Sequence, residues 1–144
     1  MTYEIAICDD EEKQRTYMKS LVERWLHQTF HHAQIREYAS SEQFLFEQAD
    51  ARTQILFLDI EMEKMDGIAL AREIRKHNRQ MQIIFVTGYM EYIQEGYDVE
   101  ALHYLLKPVS QEKTDSVLER AVERLKTADA VLFVESRTDT DPTA

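Results

Sequence analysis

Apolar residues in this chain gather in short runs that end on acidic or hydroxyl side chains, and between the runs they recur at helical spacing. YEIAIC (3–8), stopped abruptly by DDEE (9–12), predicts a buried strand that ends in carboxylates. From Glu11 to about Phe30 there is neither Gly nor Pro, and Met18, Leu21, Val22, Trp25 and Leu26 share one face, which predicts an amphipathic helix. IREYA (35–39) predicts a second strand. SSEQ (40–43) then sets Ser40 or Ser41 ahead of Glu42 or Gln43 in the manner of an N-cap, before a second helix carrying Phe44, Leu45 and Ala49.

QILFLD (54–59) is a nearly uninterrupted apolar run closing on Asp59, the pattern of a strand buried on both faces in a parallel sheet. The loop IEMEKMDG (60–67) ends on the turn signal Asp66–Gly67, and Ile68, Leu70, Ala71 and Ile74 mark a third helix. QIIFVT (82–87) predicts a fourth strand ending in Thr87, MEYIQEGYD (90–98) a short helix interrupted by Gly96, and ALHYLL (101–106) a fifth strand ending at Lys107–Pro108. From Ser110 onward, Val117, Leu118, Ala121, Val122 and Leu125 form the stripe of a last helix. Five strands alternating with five helices predict parallel strands joined by right-handed crossovers, a doubly wound α/β fold with helices on both faces.

The length of 144 residues fits one domain, and 44% hydrophobic residues with one Trp, six Phe and seven Tyr supply a full core, which excludes disorder over most of the chain. Residues 1–126 carry the predicted fold. Residues 127–144 differ, with one apolar run at Val131–Val134 followed by Thr and Asp, and are expected to be a linker or tail, the start of a further effector domain. A single cysteine, Cys8, excludes an internal disulfide and is expected in the core; with no secretory start, a cytoplasmic protein is expected. No stretch approaches the roughly 20 apolar residues that span a bilayer, so no membrane partner is expected. A net charge of −10 opposes the phosphate backbone, so direct nucleic-acid binding by this chain is not expected.

Ligands of open α/β sheets bind beyond the carboxyl ends of the strands, where the strand order reverses. Four of the five predicted strand ends carry chemistry there: Asp9 and Asp10, Asp59, Thr87 and Lys107. Three converging carboxylates repel one another unless a cation is present, and an all-oxygen donor set without Cys or His at zinc spacing points to Mg²⁺. A magnesium ion beside a carboxylate, an ammonium and a hydroxyl is a phosphoryl-transfer arrangement, with Asp59 as the nucleophile.

AICDDE (6–11), LFLDIEMEKMDG (56–67), FVTGY (85–89) and YLLKPV (104–109), taken in order, resemble the receiver domain of two-component response regulators over about residues 3–126. The resemblance implies a flavodoxin-like, five-stranded parallel sheet of order 2-1-3-4-5 with five helices. It makes Asp59 the phosphoacceptor, charged from a phosphohistidine of a sensor histidine kinase. Asp10 is then a direct ligand of Mg²⁺ beside Asp59, with Asp9 acting mainly through water and the backbone carbonyl of Glu61 completing the set. Lys107 pairs with the phosphoryl group across a cis Lys107–Pro108 bond, Thr87 moves to the phosphoryl oxygens, and Tyr104 turns inward behind it as the switch. EGYDVEALHYLLKP (95–108) resembles most closely the receivers of LytTR-type regulators, which implies control of transcription through a DNA-binding domain outside this chain. Dimerisation on phosphorylation, through the fourth helix, fifth strand and fifth helix, is implied as well.

The chain departs from the family pattern at Glu63, where Pro often follows the methionine of the third-strand loop. Two further readings remain open: an Mg²⁺-dependent phosphatase with an Asp nucleophile, which usually carries a second Asp where this chain has Glu61, and an interaction domain that works without phosphorylation. Asp9 or Asp10 alone also reads as a cap of the following helix, and His27, His31 and His32 read as a solvated helix end. The bulky Tyr89, two residues past Thr87, is expected to slow hydrolysis of a phosphoaspartate.

Overall fold

The structure is a computed structural model that describes residues 2–47 and 52–140, with side chains described as far as residue 128. In chain order its elements are β1 (Thr2–Cys8), α1 (Glu12–Thr29), β2 (His32–Tyr38), α2 (Ser41–Glu47), β3 (Ile55–Asp59), α3 (Gly67–His77), β4 (Gln82–Thr87), a 3₁₀ turn (Met90–Tyr92) leading into α4 (Ile93–Asp98), β5 (His103–Leu106) and α5 (Gln111–Thr140). The five strands pair in parallel in the order β2-β1-β3-β4-β5, the expected doubly wound sheet.

Alternation along the strands divides the core in two, because successive side chains point to opposite faces. Tyr3, Ile5 and Ile7 of β1, Phe57 of β3 and Ile84 of β4 pack under α1 and α5 against Trp25, Val22, Leu118 and Ala121. Ala6, Cys8, Leu56, Leu58, Ile83 and Phe85 pack on the other face against Phe44, Ile68, Leu70, Ala71 and Ile74. β3 is buried at every position, as its unbroken apolar run requires.

Three details differ from the sequence pattern. β2 begins at His32, three residues ahead of IREYA, because the ladder from Thr2↔His32 to Cys8↔Tyr38 orders backbone whose side chains stay largely exposed at a sheet edge. His31 is accordingly off the helix, its ring stacked on Trp25 at 4.8 Å and edge-on to Tyr3. Gly96 does not interrupt α4; it is buried within it, facing the ring of Phe85. α5 runs without a break past residue 126 to Thr140, whereas Ala49 of the expected second helix lies outside the described residues.

Candidate functional site

The carboxyl ends of β1, β3, β4 and β5 lie side by side in the sheet, so the polar residues that end their apolar runs meet at one rim. Asp9, Asp59 and Thr87 are buried there at 5%, 4% and 0% exposure, while Asp10 stays exposed. Carboxylate oxygens of Asp9, Asp10 and Asp59 lie within 4.8 Å of one another, the one such group of potential metal ligands among the described residues. Lys107 reaches across from the end of β5: its Nζ donates to Asp9 Oδ2 at 3.1 Å and stands 3.5 Å from Asp59 Oδ1. Its backbone N–H donates to the Thr87 carbonyl at 2.7 Å, the Lys107–Pro108 bond is cis, and the Tyr17 hydroxyl donates to the Val109 carbonyl at 2.6 Å.

Asp9 serves in two capacities. Its Oδ1 accepts the Glu11 N–H at 2.9 Å, an Asx turn that leads into α1 without capping it, since the N-cap is Glu11 and has no side-chain cap, while its Oδ2 faces Lys107. The rim is left with more negative than positive charge. Burial pushes the Asp59 carboxyl up to about 7, the neighbouring Asp9 adds to this, and Lys107 and the Glu61 backbone N–H oppose it. Burial works to lower the Lys107 ammonium, but Asp59 and Asp9 outweigh it and hold it above the ordinary value.

Asp59, Thr87 and Lys107 line a cleft of about 220 Å³ together with Glu11, Gln14, Glu61, Gly88 and Tyr89. The Thr87 hydroxyl accepts the Tyr89 N–H at 3.3 Å. Tyr104 is already turned inward: its hydroxyl is buried beside Thr87 and the Tyr92 backbone without an aligned hydrogen bond to either, and burial raises its pKa. Cys8 is fully buried, its thiol pushed up to about 12 chiefly by burial and then by Asp9, and it contacts the Ser40 carbonyl and the Met62 sulfur. It is a core thiol, as expected.

Gly67 is a site residue that the sequence marked only as a turn. A Cβ there would overlap the Asp59 carbonyl oxygen and come within 2.9 Å of its carbonyl carbon, so glycine lets the start of α3 rest on the Asp59 backbone. Asp66 caps the same helix by accepting the Ala69 N–H at 2.9 Å, and the Gly67 N–H donates to the Ile60 carbonyl at 2.9 Å. The dipeptide Asp66–Gly67 thus ends the loop behind Asp59.

Comparison with known proteins bears on the family and the fold. The model of the response regulator receiver domain matches residues 5–119. An uncharacterised response regulatory protein of Vibrio cholerae is 32% identical over 127 residues, covering 87% of this chain and 47% of that protein. The sensory transduction protein LytT of Bacillus subtilis is 28% identical over 116 residues, covering 81% of this chain and 46% of that protein. The chain therefore spans about half the length of the curated relatives it matches. In fold it is similar to the response regulatory domain of protein mrkE from Klebsiella pneumoniae, with a TM-score of 0.77, 22% identity and coverage of 86% of this chain and 98% of that one. Because that family model covers residues 5–119, well over half of the sequence, this chain belongs to the response regulator receiver domain family.

Proposed function

We propose that Asp59 accepts a phosphoryl group from the phosphohistidine of a sensor histidine kinase and that the modified domain acts as a signalling switch. The observation that carries this reading is the Lys107 ammonium set 3.1 Å from Asp9 and 3.5 Å from Asp59, within a cluster of three carboxylates open to a cleft. Asp10, Asp59, the Glu61 carbonyl and, through water, Asp9 would hold Mg²⁺. The donor set fits it: all its ligands are oxygens, and the one lysine pairs with only two of the three acids, so the site still carries excess negative charge that a hard divalent cation would offset. That cation supplies charge neutralisation for the incoming phosphoryl oxygens.

In the transfer, an Asp59 oxygen bonds to phosphorus as the nitrogen–phosphorus bond of the donor breaks and its electron pair returns to the imidazole. Lys107 offsets charge on one phosphoryl oxygen, and the Thr87 hydroxyl, released from the Tyr89 N–H, bonds another. Tyr104 stands behind Thr87, so a move of Thr87 toward the phosphoryl group is transmitted to β5 and α4. Met90, Ile93 and Leu106 line a groove of about 320 Å³ beside His103, Lys113 and Arg120, and the α4 side carries Glu91, Glu95 and Asp98. Apolar floor and opposed charges suit a dimer formed on phosphorylation. In the cytoplasm this dimer would control transcription through a LytTR-type DNA-binding domain.

The test is intact mass after incubation with acetyl phosphate, with and without Mg²⁺, on the wild type and on Asp59→Asn. A gain of one phosphoryl group that needs the metal and is lost in the variant is the expected result. No gain, or a gain that persists in Asp59→Asn, refutes the assignment of Asp59.

A further inference from the structure

Water that hydrolyses an aspartyl phosphate must approach phosphorus on the side opposite the Asp59 oxygen, and that approach runs through the cleft mouth, where Glu61 and Tyr89 stand. Glu61 is exposed, yet its carboxylate is not idle: Oε1 lies 3.5 Å from the hydroxyl of Tyr92, 31 residues further along the chain. Tyr92 ends the 3₁₀ turn ahead of α4 and is half-buried, and its backbone adjoins the buried Tyr104 hydroxyl. Among the described residues this phenol is the one hydrogen-bond partner of the Glu61 side chain.

We propose that Tyr92 is a positioning residue that holds the Glu61 carboxylate to the side of the cleft and thereby slows the loss of the phosphoryl group from Asp59. The inference rests on the phosphoacceptor reading above. In the hydrolytic step the water oxygen bonds to phosphorus, the bond from phosphorus to the Asp59 oxygen breaks and its electron pair stays with the Asp59 carboxylate. The water proton passes to Glu61 and on to solvent, leaving inorganic phosphate. A Glu61 carboxylate released from the phenol can turn over the cleft and take that proton; one held by the phenol has its Oε1 engaged elsewhere. Because Tyr92 also adjoins Tyr104, one residue joins the switch tyrosine to the group that meets the attacking water.

The experiment phosphorylates the full chain with acetyl phosphate and Mg²⁺, removes the donor by desalting and follows the phosphoryl group by intact mass. Four proteins are compared: wild type, Tyr92→Phe, Glu61→Ala and the double variant. A contact at 3.5 Å is a weak hydrogen bond, so freeing Glu61 should shorten the phosphoryl lifetime about threefold in Tyr92→Phe. The same substitution should have no effect in the Glu61→Ala background. An unchanged lifetime in Tyr92→Phe overturns the inference. So does an equal change in both backgrounds, because Tyr92 would then act by packing on Tyr104 and not through Glu61. If the wild type takes up no phosphoryl group, the phosphoacceptor reading fails and the inference falls with it, whereas normal uptake with an unaltered lifetime refutes the Tyr92 role alone.

Discussion

Replacing Asp59 by asparagine should stabilise the protein when divalent cations are removed, and the gain should depend on pH. The Asp59 carboxyl is 4% exposed, and its pKa is pushed from 3.8 to about 7 by burial and by Asp9. An acid whose folded value lies above its unfolded one holds its proton more tightly in the native state. Its contribution to stability is therefore complete below pH 3.8 and is lost as pH rises through about 7. At about 1.4 kcal/mol for each tenfold change in binding, a folded value near 7 sets a ceiling of about 4 kcal/mol on the penalty at about pH 8. Asparagine removes that penalty but also loses the Lys107 contact at 3.5 Å and leaves a buried amide to be satisfied. A net gain of about 1–2 kcal/mol is expected, which is on the order of 4–8 °C in Tm for a domain of this size.

The assay is thermal or urea unfolding of wild type and Asp59→Asn in the presence of a chelator at about pH 8 and about pH 4.5. Carboxylates away from the rim titrate alike in both proteins and cancel in the difference. By the same arithmetic the penalty is about 3 kcal/mol smaller at the lower pH, so the gain should vanish or turn into a loss there, and added Mg²⁺ at the higher pH should stabilise the wild type more than the variant. A difference that is the same at both pH values, or a variant less stable than wild type at pH 8, would refute the account of the rim as a site of unrelieved negative charge.

Gly67→Ala forces a Cβ into the Asp59 carbonyl and should cost about 1–3 kcal/mol in urea unfolding, more than an alanine at an unstrained helix start would. Arg75 donates to the Val99, Asn78 and Glu100 carbonyls at 2.6, 3.1 and 3.1 Å, so Arg75→Met should cost about 1.5–3 kcal/mol. In that variant, faster hydrogen exchange should appear first in the turn between α4 and β5. Tyr89→Ala opens the cleft mouth and should shorten the lifetime of phosphorylated Asp59; an unchanged lifetime measured by intact mass would discard the shielding role of a side chain that is 48% exposed.

What the sequence disclosed and what it withheld divide along physical lines. Strands buried on both faces, such as QILFLD and QIIFVT, are legible because burial demands an apolar side chain at each position, and both end at the residues expected, Asp59 and Thr87. The start of β2 is not legible, because His32 and Gln34 are set by the hydrogen-bond ladder to β1, which any residue type can make. That the acids, threonine and lysine meet at one rim is legible because a parallel sheet brings strand ends together whatever the distance along the chain, as Asp9 and Lys107 demonstrate across 98 residues.

Contacts made by loops follow no such rule. Nothing in the letters MEY marks Tyr92 as a partner of Glu61, since the path of the 3₁₀ turn over the cleft depends on how α4 seats itself against the sheet. Gly96 read as an interruption because glycine weakens an isolated helix, yet here the helix runs through it, with room for a Cβ at an ordinary 3.7 Å from the Phe85 ring. Gly67 misleads in the same way, a turn glycine by composition and a packing glycine by geometry. At Gly67 the absent Cβ is what brings a helix up to the strand ends, so this glycine sets how closely α3 approaches the rim while the acids and lysine set its charge.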